Sequence, residues 1–429
     1  MNSTIHPSVS SACKITLLVF PTTFWLIIQT PISKKAPMKV LFLLASILWY
    51  NSLSMKIGLF TDGYYPQING VATTVEELKD SLRDLGHNVY IVAPKYPKYK
   101  DKDPKVFRLK SFRLYKNPEL RLSYMFPDKI FQKVFKIDFD IIHGFSGGSV
   151  PSLGLALAKL KKKPYVFTYN TRLNQYTHYF LGGKVLKPKA VEKVVELYCN
   201  VCDYVIAPAQ YVKEELIEFG VKKPIAVIPN GVDTKKFKPI KSDFLRKKLN
   251  LTQDDKIILY VGRLAKEKSV DFLIQAFSKL NEENVYFVIV GDGPERETLE
   301  KLINKLGLQS KILLTGFVEH NKLADVYNSA DVFVFSSTTE TQGLVILEAL
   351  SSGLTVLTVN DKVFAEFIED GVSGFIVEKK ETIFAQKLQK ILQDEDLRVR
   401  ISKEARIQAL KFSLAEIAKK FENLYKQLL

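Results

Sequence analysis

Short apolar runs alternate with amphipathic stretches along this chain from residue 55 onward. Apolar residues at helical spacing predict a helix over Val71–Leu85, which Gly86 ends. Strands that alternate with helices are typical of parallel α/β sheets. In the first half of the chain, six apolar runs predict strands: Ile57–Thr61, Val89–Ala93, Asp140–His143, Pro164–Thr168, Tyr204–Ala207 and Ile225–Ile228.

The alternation begins again at residue 257, after a segment of turn formers and lysines at residues 229–243. That segment has no periodicity, so we place a domain boundary there. The predicted strands of the second half are Ile257–Val261, Val285–Val290, Ile312–Thr315, Val332–Phe335 and Thr355–Val359. The predicted helices are Val270–Leu280, Glu295–Leu306, Lys322–Ser329, Leu344–Leu350, Ile383–Leu392 and Leu414–Leu428.

These elements predict an α/β fold with two Rossmann-like, doubly wound domains that face a cleft. We expect the first domain to span residues 55–235 and the second to span residues 236–411. A C-terminal helix within residues 412–429 is expected to pack back towards the first domain. Sheets of this kind bind ligands at the carboxyl ends of their strands, so the cleft is the expected binding site.

Residues 1–54 differ from the rest because they contain no acidic residue. Uncharged runs at Ile15–Ser33 and Val40–Met55 are both shorter than the ~20 residues that span a bilayer. Three interpretations are open: a membrane anchor or hairpin, a signal peptide, or translation that starts at Met55. We expect the last, because a strand begins directly after Met55; the intact mass of the native protein tests it.

The cysteines predict no disulfide framework, which fits a reducing cytosol. Only three are present, Cys13, Cys199 and Cys202. The last two form a C-x-x-C, but a structural zinc site needs four ligands and no second pair exists. One turn of a buried helix is therefore the expected role of this pair.

The charge is unevenly distributed. Residues 1–239 carry 35 Lys and Arg against 18 Asp and Glu, whereas residues 240–429 carry 27 against 28. This asymmetry predicts an anionic partner for the first half: nucleic acid, a membrane surface or an acidic substrate. Ten of the cations lie close together: Lys95, Lys98, Lys100, Lys102, Lys105, Arg108, Lys110, Arg113, Lys116 and Arg121.

A basic amphipathic helix is predicted just after this cluster, in the stretch DKIFQKVFKID. Its lysines lie off a face formed by Ile130, Phe131, Val134 and Phe135. Such a face can lie in a membrane interface, or it can pack on the sheet. The neighbouring charge favours a membrane interface for the region as a whole.

The strongest chemical signal is the pair Glu340 and Glu348. A buried strand, a polar turn and a helix that begins at Gly343 surround them. Glycine permits close approach to the backbone, and a helix N-terminus binds anions. One carboxylate lies just before this anion site and the other about two helical turns beyond it. Phosphate together with hydroxyl groups suits this arrangement, and a nucleotide sugar carries both.

Two cations strengthen the interpretation. Arg263 and Lys268 follow the first strand of the second domain, where they can neutralise a diphosphate. Gly70 precedes a helix, so its amide can face a phosphate. The stretches VGDGP and TGFV, at residues 290–294 and 315–318, end two further strands and can lend backbone to a base or ribose. The G-x-G-x-x-G fingerprint of nicotinamide cofactors does not occur.

Two other motifs suggest different chemistry. Glu340 and Glu348 resemble the carboxylate pair of a glycosidase, but a hydrolase needs no diphosphate clamp beside its acid. Asp138 and Asp140 form a D-x-D, which holds a metal in another fold. Here it precedes a buried strand, so we expect it to end a helix and cap a turn.

The stretches IPNGVDTKKFKP, GRLAKEK, VGDGP and E-x7-E, in this order, resemble glycosyltransferase family 4, which has the GT-B fold. The resemblance implies transfer from a nucleotide-activated sugar with retention of anomeric configuration and no active-site metal or other cofactor. The site residues that it implies are Arg263 and Lys268 at the diphosphate, Glu340 at the sugar hydroxyls, Glu348 at the ribose hydroxyls, amides of Gly343 and Leu344 at phosphate, Gly70 closing from the other domain, and Gly291, Phe317 and Val318 along the nucleotide.

A finer resemblance lies in TDGYYPQINGVATTVEEL, YNTRLNQYTHYF and SSTTETQGL, which are similar to the bacterial branch that glucosylates diacylglycerol. That branch usually has a histidine, expected at the transferred sugar, where Asn170 stands here. Asparagine donates and accepts hydrogen bonds but carries no proton, which leaves the sugar and the rate open. His178 is expected to face the acceptor, with packing as the alternative.

The sequence thus predicts a retaining hexosyltransferase, peripheral on the cytoplasmic face of an anionic membrane. The expected reaction moves glucose from UDP-glucose to diacylglycerol. Phosphatidylinositol, a cell-wall precursor or a soluble sugar is the alternative acceptor, and a weakly active GT-B relic that binds membranes is the alternative from another class. Nucleic-acid binding is not expected, because no known binding signature occurs.

Overall fold

The structure is a computed structural model that describes residues 15–20, 23–28, 54–67, 69–114, 117–124, 129–170 and 188–429. The chain forms two compact units, Met1–Ser54 and Met55–Leu429. In the first unit, strands β1 (Ile15–Phe20) and β2 (Thr23–Ile28) pair antiparallel, and its other residues lie outside the described ranges except Ser54. No helix in the described ranges is long and apolar enough to cross a membrane.

The second unit begins with a domain built on a parallel sheet. Its strands are β3 (Lys56–Thr61), β4 (Asn88–Pro94), β5 (Val106–Leu109), β6 (Ser111–Leu114), β7 (Asn117–Ser123), β8 (Ile141–Phe145), β9 (Tyr165–Thr168), β10 (Tyr204–Ala207) and β11 (Ile225–Val227). Its helices are α1 (Gly70–Asp84), α2 (Lys129–Lys136), α3 (Ser149–Lys161), α4 (Pro188–Val201) and α5 (Gln210–Glu218). The sheet order is β11-β10-β9-β8-β3-β4-β5, and β6 and β7 form a separate antiparallel hairpin.

The following domain repeats this plan. Its strands are β12 (Lys256–Val261), β13 (Val285–Val290), β14 (Ile312–Gly316), β15 (Val332–Phe335), β16 (Thr355–Val359) and β17 (Phe375–Val377). Its helices and the one after it are α6 (Phe244–Leu249), α7 (Val270–Phe277), α8 (Arg296–Lys305), α9 (Leu323–Asn328), α10 (Leu344–Ser351), α11 (Glu381–Gln393), α12 (Glu395–Leu410) and α13 (Leu414–Gln427). Short 3-10 turns cover Lys266–Lys268, His320–Lys322 and Phe364–Glu366.

The second sheet is parallel in the order β14-β13-β12-β15-β16-β17. In both sheets the strand order reverses beside the first strand, between β3 and β8 and between β12 and β15. The crevice outside the carboxyl ends of strands at such a switch point is where these sheets bind ligands. The predicted architecture of two Rossmann-like, doubly wound domains is confirmed, and it places the site beyond β12 and β15.

Helix α13 follows the second domain in sequence but packs on the first. Ile417, Phe421 and Tyr425 are buried in the core that lies on one face of the first sheet. Tyr425 Oη lies 2.7 Å from His143 Nδ1, and burial lowers the pKa of His143 to about 3, so this histidine is neutral. The chain crosses back to the first domain beside Val232, whose backbone bonds that of residues 412 and 414.

Helix α2 uses most of its apolar face for packing. Val134 is fully buried, and Ile130 and Phe131 are partly buried against the core. Phe135 alone of the four is exposed, and the Lys161 ammonium lies 5.0 Å from its ring centroid. Packing on the domain core therefore accounts for the predicted amphipathic face.

Two sequence motifs have structural roles. The Asp140 carboxylate accepts a 2.7 Å hydrogen bond from the Lys56 amide, and Asp138 forms an ion pair with Lys163. Cys199 and Cys202 are fully buried at the end of α4. Burial raises the pKa of the Cys199 thiol to about 12, so it stays protonated and unreactive.

Candidate functional site

Two cavities meet at the carboxyl end of β12, as the sheet topology requires. The larger, of about 840 Å³, runs along the ends of β12, β13 and β14 towards the first domain. The smaller, of about 580 Å³, lies between helix α1 of the first domain and the loop after β15. Val261, Gly262 and Arg263 line both, so the two form one groove.

The floor of the larger cavity is bare backbone. Gly291 has φ +142°, and a Cβ there would lie 1.8 Å from the Gly262 carbonyl oxygen. Any side chain at this position is excluded, which lets a flat ligand approach the ends of β12 and β13. Gly291, Phe317 and Val318 all line this cavity, and Phe317 is 57% exposed.

Lys268 and Glu340 form a largely buried ion pair in the smaller cavity. Ser336 Oγ donates to the carbonyl oxygens of Lys268 and Ser269, at 2.8 and 2.9 Å, which fixes the loop after β12 to the end of β15. Burial acts to raise the pKa of Glu340, but the Lys268 ammonium and hydrogen bonds from Lys268 and Ser337 outweigh it. The pKa of Glu340 is therefore lowered, and its carboxylate is ionised at neutral pH.

The N-terminus of α10 opens into the same cavity. Gly343 adopts a left-handed conformation with φ +81° directly before the helix, and Gly343, Leu344 and Val345 line the cavity. A left-handed residue favours glycine, which explains its presence here. From the opposite wall, a Cβ built on Gly70 would lie 3.8 Å from Leu344 Cδ1, so the two domains nearly touch. Anions bind well at such a helix end.

Asn170 lies on the wall of the smaller cavity, directly after β9. Both polar atoms of its side chain are buried and have no hydrogen-bond partner among the residues that the structure describes. The backbone carbonyl oxygen of Asn170 accepts a 3.0 Å hydrogen bond from Thr341 Oγ1 of the second domain. A buried carboxamide without partners is costly, so this one is ready for a polar ligand in the cavity. His178 lies outside the described residues.

Glu348 lies deeper than the other predicted residues. Its carboxylate accepts a 2.7 Å hydrogen bond from Tyr327 Oη. Glu348 is not one of the described residues that line the two cavities. Burial raises its pKa to about 7, against the lowering effects of the Tyr327 bond and the Lys236 ammonium.

A second carboxyl group, missed in the sequence, lies on the first domain within electrostatic range of Glu348. Burial raises the pKa of Glu77 on α1 to about 8, and the charges of Glu348 and Asp233 add to this effect. Glu77 follows Gly70 and Thr74 at helical spacing, and both of these line the cavity. That spacing is the signal that points to Glu77.

These two carboxyl groups predict a pH dependence of stability. Their folded pKa values of about 7 and about 8 exceed the ordinary value of 4.5. Their contribution to the free energy of unfolding is therefore complete below pH 4.5. It is lost as the pH rises through their folded pKa values. Glu77→Gln should weaken this loss and raise the free energy of unfolding at about pH 8.5 by on the order of 1–2 kcal/mol.

Urea unfolding between about pH 5 and pH 8.5 measures the effect. The exposed Glu283→Gln is the matched control and should follow the unmodified protein. Equal slopes for Glu77→Gln and the control would show that Glu77 does not titrate in this range.

The predicted residues within the described ranges therefore fall into four groups. Arg263 lines both cavities, and Glu348 lies behind them. The residues of the larger cavity are Gly291, Phe317 and Val318, and those of the smaller are Gly70, Asn170, Lys268, Glu340, Gly343 and Leu344. Within the described ranges, no three His, Cys, Asp or Glu side chains lie close enough together to hold a metal ion.

Two family models match the chain. "Glycosyltransferase Family 4" matches residues 68–236, and "Glycosyl transferases group 1" matches residues 241–408. Together they cover both sheets except strand β3, and they include the predicted site residues.

Proteins with similar sequences or structures support membership of the same family. An alpha-monoglucosyldiacylglycerol synthase of Acholeplasma laidlawii is 34% identical, over 87% of this chain and 98% of that protein. A Streptococcus pneumoniae protein of the same name is 31% identical, over 80% of each. The solved structure of Anabaena HepE in complex with UDP-glucose has a TM-score of 0.71 at 20% identity, with 87% of this chain and all of that chain covered. This likeness confirms the predicted GT-B fold.

Proposed function

Because the chain belongs to glycosyltransferase family 4, we propose that it transfers a hexose from a UDP-sugar to a membrane lipid. The expected reaction moves glucose from UDP-glucose to diacylglycerol. The names of the two bacterial relatives support the lipid acceptor, and the ligand of the Anabaena structure supports the donor. We expect the protein to act peripherally, on the cytoplasmic face of a membrane.

The observation that carries the proposal is the convergence of unlike groups on one groove. A cation at Arg263, the Lys268–Glu340 pair and the N-terminus of α10 all line the smaller cavity. The cations and the helix end suit the phosphates of a nucleotide sugar, whereas the Glu340 carboxylate suits sugar hydroxyls. The larger cavity, with its backbone floor, has room for the nucleoside.

In the proposed reaction the acceptor oxygen bonds to the anomeric carbon as the bond from that carbon to the donor phosphate breaks. The acceptor proton passes to the leaving phosphate oxygen, so both events take place on one face and configuration is retained. Arg263, Lys268 and the α10 amides stabilise the charge that develops on the phosphate. Glu340, ionised and paired, orients the sugar, and no resident metal is required.

Transfer to liposomes tests the proposal. Purified protein is incubated with radiolabelled UDP-glucose and vesicles with or without diacylglycerol, and labelled lipid is measured. Label should appear in a glucosylated lipid only when diacylglycerol is present. Transfer to phosphatidylinositol or a soluble sugar instead would replace the acceptor. UDP binding without transfer to any acceptor would indicate a non-catalytic binding protein.

Asn170 should contribute to recognition of the transferred sugar. Asn170→Ala removes a carboxamide whose two polar atoms have no hydrogen-bond partner in the described part of the chain. The expected loss in kcat/KM is about 10- to 100-fold, the usual cost of leaving a polar ligand group unpaired. The exposed Asn304→Ala is the control. Comparing UDP-glucose with UDP-galactose and UDP-N-acetylglucosamine shows whether the loss depends on the sugar; equal rates for variant and control would exclude the contact.

A further inference from the structure

We propose that an aromatic and basic surface beside the cleft docks this protein on an anionic lipid bilayer. The surface, called the docking surface here, comprises hairpin residues 110–113, Tyr124 and the loop at residues 95–102. The inference rests on the proposed lipid acceptor and deepens it, because it assigns the face that meets the membrane.

Exposed aromatic rings lie at the centre of the docking surface. Phe112 is 40% exposed and Tyr124 is 49% exposed, and their ring centroids lie 5.1 Å apart. Tyr99 in the neighbouring loop is also exposed. Apolar rings grouped in this way mark an interaction site, and aromatic side chains with a polar tip suit the boundary between water and lipid.

The charge around these rings is almost entirely positive. The acidic residues in and next to the loop are neutralised internally, because Asp101 makes two bonds to Arg108, at 2.6 and 2.8 Å, and Asp103 pairs with Arg83 at 2.5 Å. Six cations of the region, by contrast, are exposed to solvent. The exposed ones are Lys95, Lys98, Lys100, Lys102, Lys110 and Arg113.

Exposed rings together with exposed cations favour an anionic bilayer as the partner of the docking surface. Basic residues around exposed rings attract acidic headgroups while the rings enter the interface. Helix α2, the membrane-binding candidate from the sequence, is less suited because most of its apolar side chains pack on the domain core. Val134, for example, is fully buried.

The docking surface is fixed to the walls of the cleft. The Arg121 guanidinium lies 5.4 Å from the centroid of Tyr96, which lines the larger cavity. At the base of the hairpin, the Ser123 amide donates to Ser149 Oγ at 2.8 Å, and Ser149 Oγ donates to Asp62 at 2.7 Å, at the carboxyl end of β3. A bilayer bound here lies beside the groove, so an acceptor lipid has a short path to it.

Vesicle sedimentation with two double variants tests the inference. The variants are Phe112→Ser/Tyr124→Ser and Lys98→Glu/Lys100→Glu. The matched controls are Ile407→Ser, which removes an apolar side chain 53% exposed on α12, and Lys403→Glu/Lys411→Glu. On vesicles of phosphatidylglycerol and phosphatidylcholine, each docking variant should bind about tenfold or more weakly than its control. The charge variant should also lose most of the salt dependence.

Transfer assays separate this inference from the proposed function. Docking variants should glucosylate vesicle diacylglycerol at a rate reduced about tenfold, but detergent-dispersed short-chain diacylglycerol at the unmodified rate. Hairpin-dependent vesicle binding without any transfer would uphold the docking surface and reject the acceptor. Vesicle binding equal to that of the controls, or binding of RNA but not of vesicles, would overturn the inference. Unchanged melting temperatures show that the variants fold.

Discussion

Arg263→Ala should lower kcat/KM for sugar transfer by about a thousandfold or more, the scale of losing one preorganised charge partner. Arg263 is exposed at the end of β12 and lines both cavities. Its backbone is fixed by a 3.1 Å bond from Tyr260 Oη to its carbonyl oxygen. Most of the loss should appear in kcat, because the charge on the leaving diphosphate is largest in the transition state.

Two further variants sharpen the Arg263 experiment. Lys266→Ala removes an exposed cation from the same loop, outside the groove, and should keep normal activity. Arg263→Lys retains the charge but loses the planar fork and should recover only part of the rate. The melting temperature should stay close to that of the unmodified protein. Near-normal activity of Arg263→Ala would refute the donor site proposed here.

Lys268→Ala should damage both activity and stability. Its ammonium is the partner that keeps the Glu340 carboxylate ionised in a largely buried position. Without it, Glu340 is a buried charge with no cation beside it, which costs on the order of 2–3 kcal/mol, and its pKa should rise. Transfer should fall by about a thousandfold, because the diphosphate also loses a cation.

A double-mutant cycle distinguishes these two effects. Lys268→Ala/Glu340→Ala should recover most of the lost free energy of unfolding, since no unpaired charge remains, but none of the activity. Lys279→Ala breaks a more exposed ion pair with Glu381 and should cost less than about 1 kcal/mol. A double variant as unstable as Lys268→Ala would show that the unpaired Glu340 charge does not cause the instability, and one with normal activity would remove both residues from the mechanism.

Most strand positions could be predicted from the sequence because most sheet strands here are continuous apolar runs. The edge strands β5, which contains Arg108, and β17, which has three residues, were not predicted. Buried parallel strands such as Val285–Val290 have both faces covered, so their hydrophobicity does not depend on knowing the partners. The donor groove follows from the same information, since topology brings the loops after β12 and β15 together.

Elements with weaker patterns were not predicted. Helix α12 buries Ile401, Ala405 and Ala409, and a face built largely on alanine gives little periodic signal. Within the described ranges, hairpin strands β6 and β7 pair only with each other, and neither has the long apolar run of a buried sheet strand.

The sequence could not predict which distant residues lie close to the site residues, for a different reason. Glu77 and Glu348 are far apart in sequence, and their proximity depends on how the two domains dock. The same holds for the side-chain carboxamide of Asn170, whose burial and lack of partners within the described ranges depend on the fold around it.

The position of α13 has a consequence for biosynthesis. The first domain leaves the ribosome early, yet Phe421 and Tyr425, which complete its core, are translated after the whole second domain. Nascent domains usually fold one after another from the N-terminus. Until α13 is translated, one apolar face of the first sheet remains uncovered. We therefore expect chaperones to bind this face until the chain is released. Completion of the first domain's core is therefore expected to be a late step of folding.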